Sequence, residues 1–153
     1  MGPTFKKILC AVDFDRNSMA ALDFAGVLAH ENDAFLHGLH VVVVPMGGLG
    51  YPERPYQQLA HAEQQNLQTL LDAHVPSAVR HESTVRIGNP AEEIVMAADE
   101  LGVDLIVVAT HGRGGLSRAI FGSVAEGVLR SSHQPVLTIK PEFSSPIVCS
   151  GAV

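Results

Sequence analysis

Apolar positions along the chain follow two rhythms, and the rhythms alternate. Lys7–Val12 is a short apolar run that stops at Asp13, as a buried strand would. Arg16–Glu31 follows, with Met19, Leu22, Ala25 and Ala29 at helical spacing. Ala34–Val44 is rich in β-branched residues and predicts a second strand. Pro45–Pro55 is dense in glycine and proline and predicts a loop. A helix is expected over Tyr56–His74, with Leu67, Leu70 and Leu71 on one face. Ala78–Ile87 alternates as a strand at a sheet edge does. Asn89 and Pro90 then mark a helix start: Asn caps, Pro fits the first helical position, and Glu92 stands where a capping box places its acid. Ile94, Ala97, Ala98 and Leu101 form that helix's apolar stripe. Asp104–Thr110 is the clearest strand, Ser123–Ser132 a fourth helix and Pro135–Lys140 a fifth strand. Residues 1–141 are expected to form one domain, and residues 142–153 a poorly ordered tail.

Strict alternation of strands and helices predicts an α/β fold: an open five-stranded parallel sheet with helices on both faces. The continuous apolar runs of strands one and four suit central, doubly covered positions. The 153 residues suffice for one domain with a real core. With 46% apolar and 17% charged residues, the chain is not of the disordered class. Its net charge of −6 argues against a general nucleic-acid binder, which needs a basic face. That charge still permits one small anion held by a few local donors. No apolar run is long enough to cross a bilayer, so no membrane partner is expected. Cys10 and Cys149 form no Cys-x-x-Cys pair, and two reduced thiols in a cytoplasmic protein are expected.

In an open parallel sheet, ligands sit beyond the carboxyl ends of the strands, where the winding reverses. Asp13 directly follows strand one. The segment "THGRGGLSRAIFGS", Thr110–Ser123, directly follows strand four. Gly112 and Gly114 let the backbone bend tightly and approach a ligand, and successive N–H groups in such a bend form an anion nest. Gly122 and Ser123 open the fourth helix, whose free N–H groups favour negative charge. A plainer reading stands beside this one. The loop can be only a turn, Ser123-x-x-Glu126 matches a capping box, Asp13 suits a turn, and Arg113 and Arg118 suit solvent. A Walker A loop is absent because no Gly-Lys occurs, and Ser117 replaces the third glycine of a Gly-x-Gly-x-x-Gly fingerprint. His37 and His40, three apart in a strand, fall on opposite faces and are poor metal partners. No Gly-x-Ser-x-Gly nucleophile motif is present.

These residues together resemble the ATP-binding branch of the universal stress protein family. That branch carries the signature Gly, two residues, Gly, nine residues, Gly, then Ser or Thr. Gly112, nine residues and Gly122-Ser123 match its later part, and Ala109 stands at its first glycine. "KKILCAVDF", "IGNPAEEI" and "PVLTIK" resemble the family's first strand, its entry to helix three and its closing strand. The resemblance implies the strand order 3-2-1-4-5 and a homodimer joined at strand five, through Val136, Leu137, Thr138 and Ile139. It implies an ATP site in which Ala11 and Asp13 lie by the nucleoside and Val41 offers its backbone to the adenine. Ala109 would sit near the ribose. Gly112, Arg113 and Gly114 would surround the phosphates, with Gly122, Ser123, Val124 and Ala125 closing over them. Mg²⁺ would be held mainly by phosphates and water.

The leading reading is a nucleotide-dependent stress-response module with at most slow hydrolysis and no catalytic residue. A working ATPase or phosphotransferase needs a positioned base, and none is evident beside Arg113. A nucleotide-free dimeric interaction protein, or a binder of AMP or a cyclic nucleotide, completes the set.

Overall fold

The computed structural model describes residues 4–45, 53–110 and 122–140. Its elements alternate as the patterning predicts: β1 (Lys7–Ala11), α1 (Arg16–Asn32), β2 (Phe35–Val43), α2 (Glu53–His74), β3 (His81–Gly88), α3 (Pro90–Leu101), β4 (Leu105–Ala109), α4 (Ser123–Ser131) and β5 (Val136–Ile139). The five strands form one sheet in the order β3-β2-β1-β4-β5, and every pairing is parallel.

Two apolar layers explain why β1 and β4 are continuous apolar runs. Ile8, Cys10 and Val12 face one way, against Leu22 and Ala25 of α1 and Leu67 and Leu71 of α2. Leu9 faces the other way, with Ile106 and Val108, against Ile94 and Ala98 of α3 and Val128 of α4. A strand covered on both faces has no polar side to show. The two faces are wound by different helix pairs, so the chain reverses direction between β1 and β4. That reversal opens the crevice at the carboxyl ends of these strands.

Local chemistry sets the helix ends. Asp15 caps α1, its carboxylate accepting from the Ser18 N–H at 2.8 Å, and Asn89 caps α3, accepting from the Glu92 N–H at 3.2 Å with Pro90 just inside. Gly102 ends α3 in the left-handed region at φ 64°, a conformation open to glycine at no steric cost.

Three expectations shift. Helix α2 starts at Glu53, so Pro55 lies inside it and not in the preceding loop. A first-turn proline costs little, because the N–H it lacks has no intrahelical partner there. Asp104 is not a strand residue. Its carboxylate accepts from the Lys6 and Lys7 N–H groups at 2.9 and 3.2 Å and pins the start of β1. Strand β3 begins at His81, three residues later than the alternation suggests.

The two outer strands differ. Along the outer edge of β3, the Gln64 side chain of α2 imitates a neighbouring strand. Its Nε2 donates to the Ser83 carbonyl at 3.0 Å, and its Oε1 accepts from the Val85 N–H at 3.0 Å. Ser83 Oγ accepts from the same Nε2 and donates to Gln68 Oε1, both at 2.7 Å. Strand β5 pairs with β4 along one side only among the described residues. The ladder bonds Ile106 N–H to Pro135 C=O and Thr110 N–H to Ile139 C=O show that odd-numbered residues of β5 face β4. The backbone N–H groups of Val136 and Thr138 therefore face outward. Ile139 is 6% exposed and belongs to the core, so its side chain is not part of that outer surface.

Candidate functional site

The described candidate residues gather at the carboxyl ends of β1, β2 and β4 because the register brings those ends together. Cys10 pairs with Gly38 on one side and with Val107 on the other. Continuing the second register sets Val12 beside Ala109 and Asp13 beside Thr110. Ala11 and Ala109 thus lie on adjacent strands, each small and half-buried. Neither puts bulk where the strands diverge.

Beyond Ala11 the chain makes a tight, hydrogen-bonded turn. The Asp13 N–H donates to Ser18 Oγ at 3.1 Å, and Asp13 Oδ1 accepts from the Asp15 N–H at 3.1 Å. This is a side-chain turn of the Asx type. The turn role of Asp13 is therefore realised through Oδ1. Phe14 between them is a non-glycine residue at φ 65°, a conformation that persists only when its surroundings impose it. Burial pushes the Asp15 carboxyl up, and the adjacent Asp13 adds to that while the Ser18 N–H opposes it. Two carboxylates within two residues concentrate negative charge at the carboxyl end of β1.

Val41 is reached where β2 outruns β1. The last rung between these strands is Ala11–Leu39, and β2 continues to Val43. The Val41 side chain packs in the α3–α4 layer. Its N–H and C=O point toward the side that β1 has vacated.

At β4 the chain is clamped where it leaves the sheet. Thr110 is fully buried, and its N–H and hydroxyl both donate to the Ile139 carbonyl, at 2.9 and 3.3 Å. The Thr110 carbonyl accepts from the Gly122 N–H. Gly112, Arg113 and Gly114 lie outside the described residues. Gly122 is the N-cap of α4 and, as a glycine, brings no side-chain acceptor. The capping-box expectation is thereby corrected: Ser123 is the first helical residue and not the cap. The Glu126 N–H bonds to the Gly122 carbonyl at 3.0 Å, while the N–H groups of Ser123, Val124 and Ala125 precede the first intrahelical bond. Ala125 is buried against the α3 layer, which fixes that helix start. Three donors and the dipole end of a nine-residue helix form an anion-favouring point at the carboxyl end of β4.

His37 and His40 do fall on opposite faces. His37 Nδ1 lies 2.9 Å from Glu82 Oε1, an ion-pair distance without hydrogen-bonding geometry, and burial pulls its pKa down. No group of three potential metal ligands occurs among the described residues. No described helix is long and apolar enough to cross a membrane.

The fold and this arrangement define a class, and comparison with known proteins gives the same one. The model of the universal stress protein family matches residues 4–140. The chain belongs to that family. Universal stress protein MJ0531 of Methanocaldococcus jannaschii is 36% identical over 140 residues, covering 89% of this chain and 82% of that one. The solved structure of MJ0577, from the same organism, superposes with a TM-score of 0.76 at 26% identity, covering 90% and 97% of the two chains. Two further structures share the fold at 23% identity: a universal stress protein in complex with cAMP and one from Archaeoglobus fulgidus in complex with dAMP. Their TM-scores are 0.68 and 0.58, and each covers 90% or more of both chains.

Proposed function

We propose that this protein binds an adenine nucleotide at the carboxyl ends of β1, β2 and β4, as an ATP-binding stress-response module with at most slow hydrolysis. The observation that carries the reading is the start of α4. A helix N-terminus capped by glycine, anchored to the end of β4 through Thr110, leaves its donors to an anion. In this arrangement Ala11 and Asp13 line the nucleoside pocket, and the Val41 backbone meets the adenine. Ala109 lies near the ribose. Gly112, Arg113 and Gly114 surround the phosphates, and Gly122, Ser123, Val124 and Ala125 close over them. Mg²⁺ is held mainly by phosphate and water oxygens. The protein works in the cytoplasm, where a free, buried Cys10 thiol stays reduced.

A second reading rests on the related structures that hold cAMP and dAMP. One anion-favouring helix end recognises one phosphate group as well as three. The deciding experiment is calorimetric titration with Mg-ATP, AMP and cAMP, together with mass analysis of nucleotide released on denaturing gently purified protein. Tightest binding of Mg-ATP supports the ATP module. Preference for a monophosphate moves the assignment to AMP or cAMP. Binding of none of the three overturns the nucleotide reading.

We further propose a homodimer through β5, whose outward Val136 and Thr138 N–H groups offer the sheet's open edge.

A further inference from the structure

The split between β1 and β2 is bridged by one side chain. Past the Ala11–Leu39 rung, the Val12 N–H still donates to the Leu39 carbonyl at 2.8 Å. The next bond of a parallel ladder would join the Val12 carbonyl to the Val41 N–H. That rung is not made, and β1 ends at Ala11. The Val12 carbonyl instead meets His40 Nδ1 at 2.7 Å. A carbonyl only accepts, so Nδ1 carries the hydrogen. The same imidazole packs on Phe14, with ring centroids 4.6 Å apart and planes tilted by 53°. Phe14 is the residue held at positive φ directly after Asp13. His40 thus grips the carbonyl before Asp13 and the ring after it.

We propose that His40 is a positioning residue for the ligand site: its Nδ1–H occupies the Val12 carbonyl, leaving the Val41 N–H as an open donor, while its ring fixes the Phe14 turn that aims Asp13. A backbone rung at this position would seal the crevice. A side-chain donor satisfies the same buried acceptor without adding a strand residue. The benefit to ligand binding rests on the nucleotide reading above; the diverted hydrogen bond does not.

Two variants separate the hydrogen bond from the packing. His40→Asn places an amide N–H the same number of bonds from Cβ as Nδ1 and removes the ring. His40→Phe keeps the ring on Phe14 and removes the donor. Mg-ATP affinity, measured by calorimetry, is expected to fall by about 10-fold or more in His40→Phe, the cost of losing one buried hydrogen bond, and to stay within about 3-fold in His40→Asn. The reverse order, with Phe tolerated and Asn not, would make His40 a packing residue and overturn the proposal. Two nuclear magnetic resonance readings need no nucleotide. In the wild type, nitrogen-15 spectra of His40 should show the Nδ1–H tautomer, and the Val41 amide should exchange rapidly. In His40→Phe the Val41 amide should become protected as the rung closes. An Nε2–H tautomer, or a Val41 amide already protected in the wild type, refutes the diversion whether or not the variants fold. If the wild type binds no nucleotide, the functional reading fails, and these two spectra still decide the placement of His40.

Discussion

The Gly122 N–H donates to the carbonyl of Thr110, so the strand that enters segment 111–121 and the helix that leaves it are tied at one point. Whatever occupies the helix start must therefore sit against the end of β4. Gly122 has φ −70° and ψ 162°, an extended conformation any residue adopts. Its backbone does not require glycine.

This makes Gly122→Val a clean test. Valine accepts those dihedrals and costs the helix about 1 kcal/mol through a poorer cap. We expect a folded domain with a modestly lower melting temperature and no measurable Mg-ATP binding in calorimetric titration. A folded variant with unchanged affinity would remove the helix start from the site.

Ser123→Ala should do far less than its sequence suggests. Since Ser123 follows the cap, its hydroxyl is not what ends the helix, and the N–H donors survive the change. Thermal or urea unfolding should place the variant within about 0.5 kcal/mol of the wild type. A loss of 1–2 kcal/mol, the size expected on deleting a side-chain cap, would assign the capping role to Ser123 after all.

Thr138→Pro tests association. The Thr138 N–H faces away from β4, so proline deletes an outward donor and leaves the β4–β5 ladder intact. Light scattering should report a dimer for the wild type and a folded monomer for the variant. Ile139→Lys is unsuited to this purpose, because it would bury a charge in the core. A variant that stays dimeric would move the interface elsewhere.

Cys10 should be inert. Burial, with a smaller contribution from Asp23, pushes its thiol up to about 12. In a Cys149→Ser background, a thiol reagent at pH 8 should label Cys10 only on unfolding. The raised value also predicts a pH effect. An unfolded thiol loses its proton near pH 8.5, roughly, while the folded one keeps it, so Cys10 lowers stability as pH climbs from there toward about 12. Cys10→Ala should flatten that alkaline limb; an unchanged limb would show that Cys10 stays protonated in neither state or both.

Much of the architecture was legible because burial writes itself into composition. Strands covered on both faces, β1 and β4, had to be apolar throughout, and the alternating β3 had to lie at an edge. Asn89-Pro90 announced a helix start through local chemistry alone. What escaped depends on partners far along the chain or on degenerate signals. Ser123-x-x-Glu126 looks like a capping box, yet the adjacent Gly122 is an equally permissible cap, and only the path of the backbone chooses. Asp104 continues an apolar run in sequence, while its amide partners lie 97 and 98 residues away. In the sequence His40 reads only as a poor metal partner for His37. Its actual partner, Val12, is 28 residues distant and carries no side-chain signal for the contact.

The amide of Gln64 has a consequence for assembly. A sheet can grow only through strands whose backbone groups remain unspent, and on the β3 side Gln64 has spent the Ser83 carbonyl and Val85 N–H. If copies join by backbone pairing at β5, as proposed above, each turns its β3 flank outward. There Gln64 already holds two of the backbone groups that a further strand would need.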